Sequence, residues 1–271
     1  KSFIEELNTT FSNMKKLEKS KDKYLINLRS LKIPAFVYPF LVKGYKHHNE
    51  DKIYLSKLFH ILEILVFRYR LVNSRADIIS RLNEILVKFD GNLDELKKMF
   101  KTKLNEAWYW GDRKIEEVLN GYMYDNSVLH YLLWKYEDFI QNAGYHLGNC
   151  KIDNESIEHI SPQTPTNGIS IESGYEVDKN NKYDEDFIIS YLNCIGNLML
   201  ISASHNSSIG NKPFKDKLNS YNKNPLLNQQ AEIKEFIDKK LQNPIWDKIA
   251  IDKRHEKIVG FALKNWNFES V

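Results

Sequence analysis

Ile157-Glu158-His159-Ile160-Ser161-Pro162-Gln163, then Ile195-Gly196-Asn197-Leu198-Met199-Leu200-Ile201-Ser202, then His205-Asn206-Ser207-Ser208-Ile209-Gly210-Asn211 decide how this chain is read. The first stretch sets an acidic residue and a His at the end of a short apolar run, a strand over Ser156–Ile160. In the second, Gly196 breaks the pattern before a strand over Asn197–Ser202. The third is a helix, capped by Ser204 or His205, with Pro213 in its early part or at its break. The expected fold class is therefore mainly α, a helical domain with a small embedded strand–strand–helix unit.

Working outward, residues 1–150 read as helical. Phe3, Leu7, Phe11, Met14 and Leu17 form one amphipathic stripe within Ser2–Lys23. Helical spacing recurs over Tyr54–Val72, Arg75–Phe89, Leu93–Leu104 and Ser127–Asn142, with the turn-prone Asp90-Gly91-Asn92 between the second and third of these. These stripes are most simply core. Gln163 to Lys182 is a long polar stretch, of the kind that is often functional or disordered. From Pro225 the chain returns to helices anchored by Trp246 and Trp266. The expected division is 1–150 (with 1–30 a linker helix from an upstream domain), 151–223, and 224–271.

The chain has 271 residues, 42% of them hydrophobic and 13% aromatic, enough for a packed core. A net charge of only +3 does not argue for nucleic acid by itself. Its distribution is uneven: residues 151–190 hold three Lys against nine Asp or Glu, and 204–223 hold four Lys against Asp216. An acidic stretch beside a basic one suits a metal-plus-phosphate site, and solvated surfaces give such swings as often. The two cysteines, Cys150 and Cys194, cannot make a four-thiolate zinc site and fit a reducing cytoplasm. The longest apolar run, Ile33 to Val42, falls short of the roughly 20 residues of a membrane helix. Starting at Lys1, the chain reads as a fragment that lacks an upstream domain.

The order of the three motif stretches resembles an HNH (ββα-metal) nuclease site. More closely, Glu158-His159-Ile160-Ser161-Pro162-Gln163, Gly196–Ser202 and Asn206–Phe214 with Lys217 and Tyr221 resemble the C-terminal nuclease domain of GmrSD-type modification-dependent restriction systems. Phe67–Leu71, Tyr131–Glu137 and Trp246–Ile249 with Arg254 and Trp266 resemble its flanking helices. The resemblance spans about residues 50–270. It implies His159 as general base, Asn197 as the residue that orients it, and Glu158 and Asn206 as ligands of one Mg²⁺, which Mn²⁺ can replace. In the wider group the acidic ligand is often Asp, and Glu158 is one methylene longer. The resemblance further implies a DNA substrate, modified or from phage. It also implies a nucleotide-handling sensor domain, whose Gly-x-x-x-x-Gly-Lys-Ser/Thr motif this chain does not contain.

The chemistry of these residue types agrees. Hydrolysis of a phosphodiester needs an activated water and charge relief on phosphate, which one hard cation on oxygen ligands can give. Neutral imidazole accepts a proton near pH 7. A strand sends Glu158 and His159 to opposite faces unless a bend at Ser161-Pro162 redirects them. Plainer roles exist for each residue: Asn197 as a turn residue, Asn206 as an N-cap, His205 as a surface group or a phosphate contact, and Lys212, Lys215 and Lys217 as phosphate contacts or a solvated face. Pro162 and Asn211 are read as local support. Two other functions stay open: an RNA-directed nuclease and a non-catalytic interaction module.

Overall fold

A computed structural model describes residues 3–106, 109–141, 154–165, 180, 182–223, 225–242 and 244–271. Two compact units emerge, one of residues 1–115 with 264–271 and the other of 116–263. Residues 116–141, grouped by sequence with the N-terminal helices, thus belong to the second unit.

In the first unit α1 (Phe3–Lys19), α2 (Lys23–Ser30), α3 (Tyr38–His48), α5 (Ile78–Lys88) and α6 (Leu93–Glu106) accompany α4 (Lys52–Val72). Asp51 caps α4 by accepting the amides of Ile53 and Tyr54, and Asn73, left-handed at φ 48°, ends it. Between these caps α4 is apolar on nearly every side, and Leu58, Ile61, Leu62, Ile64, Leu65, Val66 and Phe67 are all buried, as befits a central helix. Arg68 is the main polar tie. It donates to the carbonyls of Trp266 and Trp110 at 3.0 and 3.3 Å and meets Asp112 at 2.6 Å. The helix expected at the N-terminus is present, but of its expected stripe only Leu17 is fully buried. Asn13 and Leu17 are buried, while Phe3, Leu7 and Phe11 are exposed.

The second unit holds the end of α7 (Asp112–Leu119), then α8 (Leu129–Ile140), β1 (Glu155–His159) and α9 (Glu185–Phe187), which runs into a π turn over Ile188–Leu192. Next come β2 (Leu198–Ser202), α10 (Ala203–Ile209), α11 (Phe214–Lys223), α12 (Asn228–Phe236) and most of α13 (Lys248–Asn265). The two strands pair antiparallel, with Ser156 opposite Ile201, Glu158 opposite Met199 and His159 opposite Leu198. All of β2 is buried, and Leu198 to Ile201 are apolar on both of its faces. Ser202, not Ser204 or His205, caps α10 by accepting the His205 amide. Pro213 lies at the break before α11. Of the polar stretch Gln163 to Lys182, residues 166–179 and 181 lie outside the described residues.

Buried charge fixes the far side of the sheet. Arg254 of α13 donates to the carbonyls of Ile195, Gly196 and Leu198 at 3.3, 2.9 and 2.7 Å and pairs with Glu232 at 3.3 Å. Its helix packs so closely on this turn that a Cβ at Gly196 would stand 2.5 Å from the Ile251 carbonyl oxygen, which is why a glycine is needed there. Glu137 of α8 caps α12, accepting the amides of Asn228 and Gln229 at 2.7 and 3.0 Å. Among the described residues no helix is long and apolar enough to cross a membrane.

Candidate active site

His159 closes β1, and its ring is buried. Nε2 lies 3.0 Å from Oδ1 of Asn193. A carboxamide oxygen only accepts, so this bond assigns the ring proton to Nε2 and leaves the lone pair on Nδ1. Among the described residues nothing hydrogen-bonds Nδ1. The ring of Tyr124 packs on the imidazole with centroids 4.5 Å apart. The Asn193 carbonyl accepts the Met123 amide at 2.9 Å, so the segments carrying Asn193 and Tyr124 are tied together beside the imidazole. Burial pushes the His159 pKa below its usual 6.5; the Asn193 bond opposes this and the Lys217 charge adds to it. The ring is therefore neutral at pH 7.

Asn197 does not reach that ring. Its Oδ1 accepts the Ser161 amide at 2.8 Å and the Trp246 indole N–H at 3.1 Å. Its Nδ2 donates to the carbonyls of Leu192 and Ser161 at 2.8 and 3.3 Å. Fully buried, Asn197 fixes the backbone just past His159, and Asn193 makes the contact to the imidazole that the resemblance gave to Asn197. Nothing in the spacing of the sequence marks Asn193.

Glu158 and His159 keep the alternation of a strand. The Glu158 carboxylate points to α11, where its Oε1 takes both the Lys217 ammonium and the Tyr221 hydroxyl at 2.7 Å. Lys217 also donates to the His159 carbonyl at 2.7 Å. Burial pushes the Glu158 carboxyl up and the Lys217 ammonium down, and each charge partly offsets the other's shift. Burial also holds Tyr221 well above its usual value. Lys217 is therefore a core residue in this structure, away from any phosphate at the surface.

Asn206 sits inside α10 rather than at its cap, and its Nδ2 donates to Ser156 Oγ at 2.8 Å and the Ile157 carbonyl at 3.2 Å. Those bonds lock the helix to β1 and leave Oδ1 as an acceptor. The two His205 ring nitrogens face Ser220 Oγ at 2.7 Å and Gln230 Nε2 at 3.2 Å, a half-buried structural setting. Lys212 and Lys215 are exposed, and Lys212 Nζ donates to the Ser208 carbonyl at 2.8 Å. Asn211 follows Gly210, whose φ of 46° ends α10. Pro162 is buried, and its carbonyl accepts the Tyr183 hydroxyl at 2.6 Å.

A divalent ion on Glu158 and Asn206 does not suit this donor set. The Glu158 charge is already balanced by the Lys217 ammonium, 2.7 Å away. The geometry thus defines a strand–strand–helix unit around one buried, oriented, neutral histidine. Residues 109–261 match the family model for the C-terminal domain of GmrSD restriction endonucleases, and the chain belongs to that family. Restriction endonucleases are nucleases that act on DNA. No curated protein and no solved structure matches the chain.

Proposed function

We propose that the second unit is an HNH-type DNA endonuclease domain of a phage-defence, modification-dependent restriction system, with His159 as its general base. The observation that carries this reading is the Nε2–H bond to Asn193, which leaves Nδ1 as the basic atom of a neutral ring. Nδ1 takes a proton from water, the water oxygen forms the new bond to phosphorus, and the P–O bond to the leaving sugar oxygen breaks, that oxygen taking a proton from solvent. Asn193 holds the ring in the tautomer that can do this and stabilises the imidazolium as it forms. Asn197 and Pro162 hold the backbone that follows. Lys212 and Lys215, exposed beside α10, are the proposed phosphate contacts.

Metal dependence by Mg²⁺ or Mn²⁺ belongs to this reading as a separate question, because Glu158 Oε1 already takes Lys217 and Tyr221. A nucleotide-handling sensor domain or subunit, and action in the cytoplasm, complete the proposal. The family model, itself a C-terminal domain, supports a partner upstream.

Plasmid cleavage by wild type and His159→Ala, with Mg²⁺, Mn²⁺ or EDTA and a single-stranded RNA control, tests it. Loss of about 10²–10⁴-fold in rate in His159→Ala is expected, the usual worth of a general base. Cleavage of RNA alone, or equal cleavage by both proteins, contradicts the reading. EDTA decides the metal question in the same experiment.

A further inference from the structure

We propose that Lys217, with Glu158 and Tyr221, is a positioning device for His159 rather than a phosphate- or metal-binding group. This rests on His159 being the base. Lys217 and Tyr221 stand four residues apart on α11, so one helix face presents both to Glu158 Oε1. The Lys217 and Glu158 side chains are only 1% and 4% exposed, so neither meets solvent, where a phosphate or a hydrated ion would have to be.

A second N–H of the Lys217 ammonium goes to the His159 carbonyl. On the other end of that same peptide, the Ile160 amide donates to the Asn197 carbonyl at 3.0 Å. The next residue is held the same way, since Asn197 takes the Ser161 amide and donates to the Ser161 carbonyl. The backbone that carries the imidazole is therefore clamped at both polar ends of its peptide plane. A buried ion pair is a poor way to gain stability, since apolar residues of similar volume do as well or better. What this one adds is a charge-assisted bond of fixed direction to the residue that bears the base. Positions of catalytic groups must be held this closely, because a displacement of about 1 Å can cost roughly 100-fold in rate.

The test compares the wild-type chain with Lys217→Met and with the double variant Glu158→Gln, Lys217→Met, which leaves no unpaired charge at this position and so protects the fold. Three readouts are taken: the thermal midpoint, kcat and KM for plasmid nicking across a Mg²⁺ titration, and the ¹⁵N–¹H ring signals of His159 in metal-free protein. The double variant is expected to melt close to wild type while kcat falls about 10- to 100-fold, the usual effect of removing a supporting partner. KM for DNA and the half-activating Mg²⁺ concentration stay unchanged, and the His159 ring signals shift or broaden. A double variant with wild-type kcat and unmoved ring signals overturns the proposal. So does a rise in the Mg²⁺ requirement, which makes Glu158 a metal ligand. If His159→Ala cleaves like wild type, the base assignment fails instead, and the ring signals alone still decide whether Lys217 positions the imidazole.

Discussion

The two units bury different things. Among the described residues the first unit buries three polar or charged side chains, Asn13, Glu63 and Arg68, in a core otherwise made of Leu, Ile, Val and aromatic rings. The second buries eleven, among them Glu137, Glu158, His159, Asn197, Lys217, Glu232 and Arg254. Each such group costs free energy to bury and must be matched to partners. A packing core has no use for so many. In the second unit nearly all of these residues lie within one or two hydrogen bonds of β1, β2 or the turn between Ile195 and Asn197, where under the proposed function one imidazole has to be held in fixed geometry.

That contrast can be broken by substitution. After loss of His159 itself, the largest effect is expected at Arg254. Its removal in Arg254→Met leaves three buried carbonyls short of a donor and Glu232 with Lys257 as its remaining cation, and unfolding measured by urea titration should show a loss of about 3–5 kcal/mol. A loss under ~1 kcal/mol would mean that the buried network is dispensable. Asn193→Ala sharpens the comparison on the catalytic side. The rate should fall about 10- to 100-fold, as for other residues that orient a functional histidine, with a stability cost of only about 1 kcal/mol. An unchanged single-turnover rate would remove Asn193 from the site. The smallest effect belongs to the first unit. Leu62→Met, a change of shape within an apolar core, should cost less than about 1.5 kcal/mol and leave the cleavage rate per folded molecule as it was. A fall in that rate would show that the first unit shapes the chemistry as well.

The same contrast explains what could be read from the sequence. Helices α4, α5, α6 and α8 follow directly from apolar spacing, because periodicity reports which face is buried. It misled at α1, where Phe3, Leu7 and Phe11 share a face that is left exposed. Both strands were legible from the motif order within a residue at their ends, and so was the presence of α10, but its cap falls two or three residues earlier than expected and its end at Ile209 was not marked. The surroundings of the proposed site residues were much less legible than the elements that carry them. His159 could be picked out, but its partner Asn193 lies in a tight turn that no periodicity describes. Lys217 reads as one more lysine in a basic stretch, because a sequence does not say which lysine turns inward. Glu158 reads as a ligand until the ammonium beside it is seen. Buried polar partners are set by tertiary approach, and that is the level at which local patterns stop informing.

The central claim is that a neutral, Asn193-held His159 takes the proton from water. Its most direct test is the pH dependence of single-turnover DNA cleavage between pH 5 and 8, wild type beside His159→Ala. The folded pKa lies below 6.5, so the ring stays neutral, and whatever stability depends on that neutrality stays whole, above pH 6.5. Both are lost as pH falls through the lower folded value. The wild-type rate should accordingly hold level down to pH 6.5 and fall only below it, and this acidic limb should be absent from the residual activity of His159→Ala. A wild-type rate that already halves above pH 6.5, or the same limb in His159→Ala, would place the proton acceptor elsewhere.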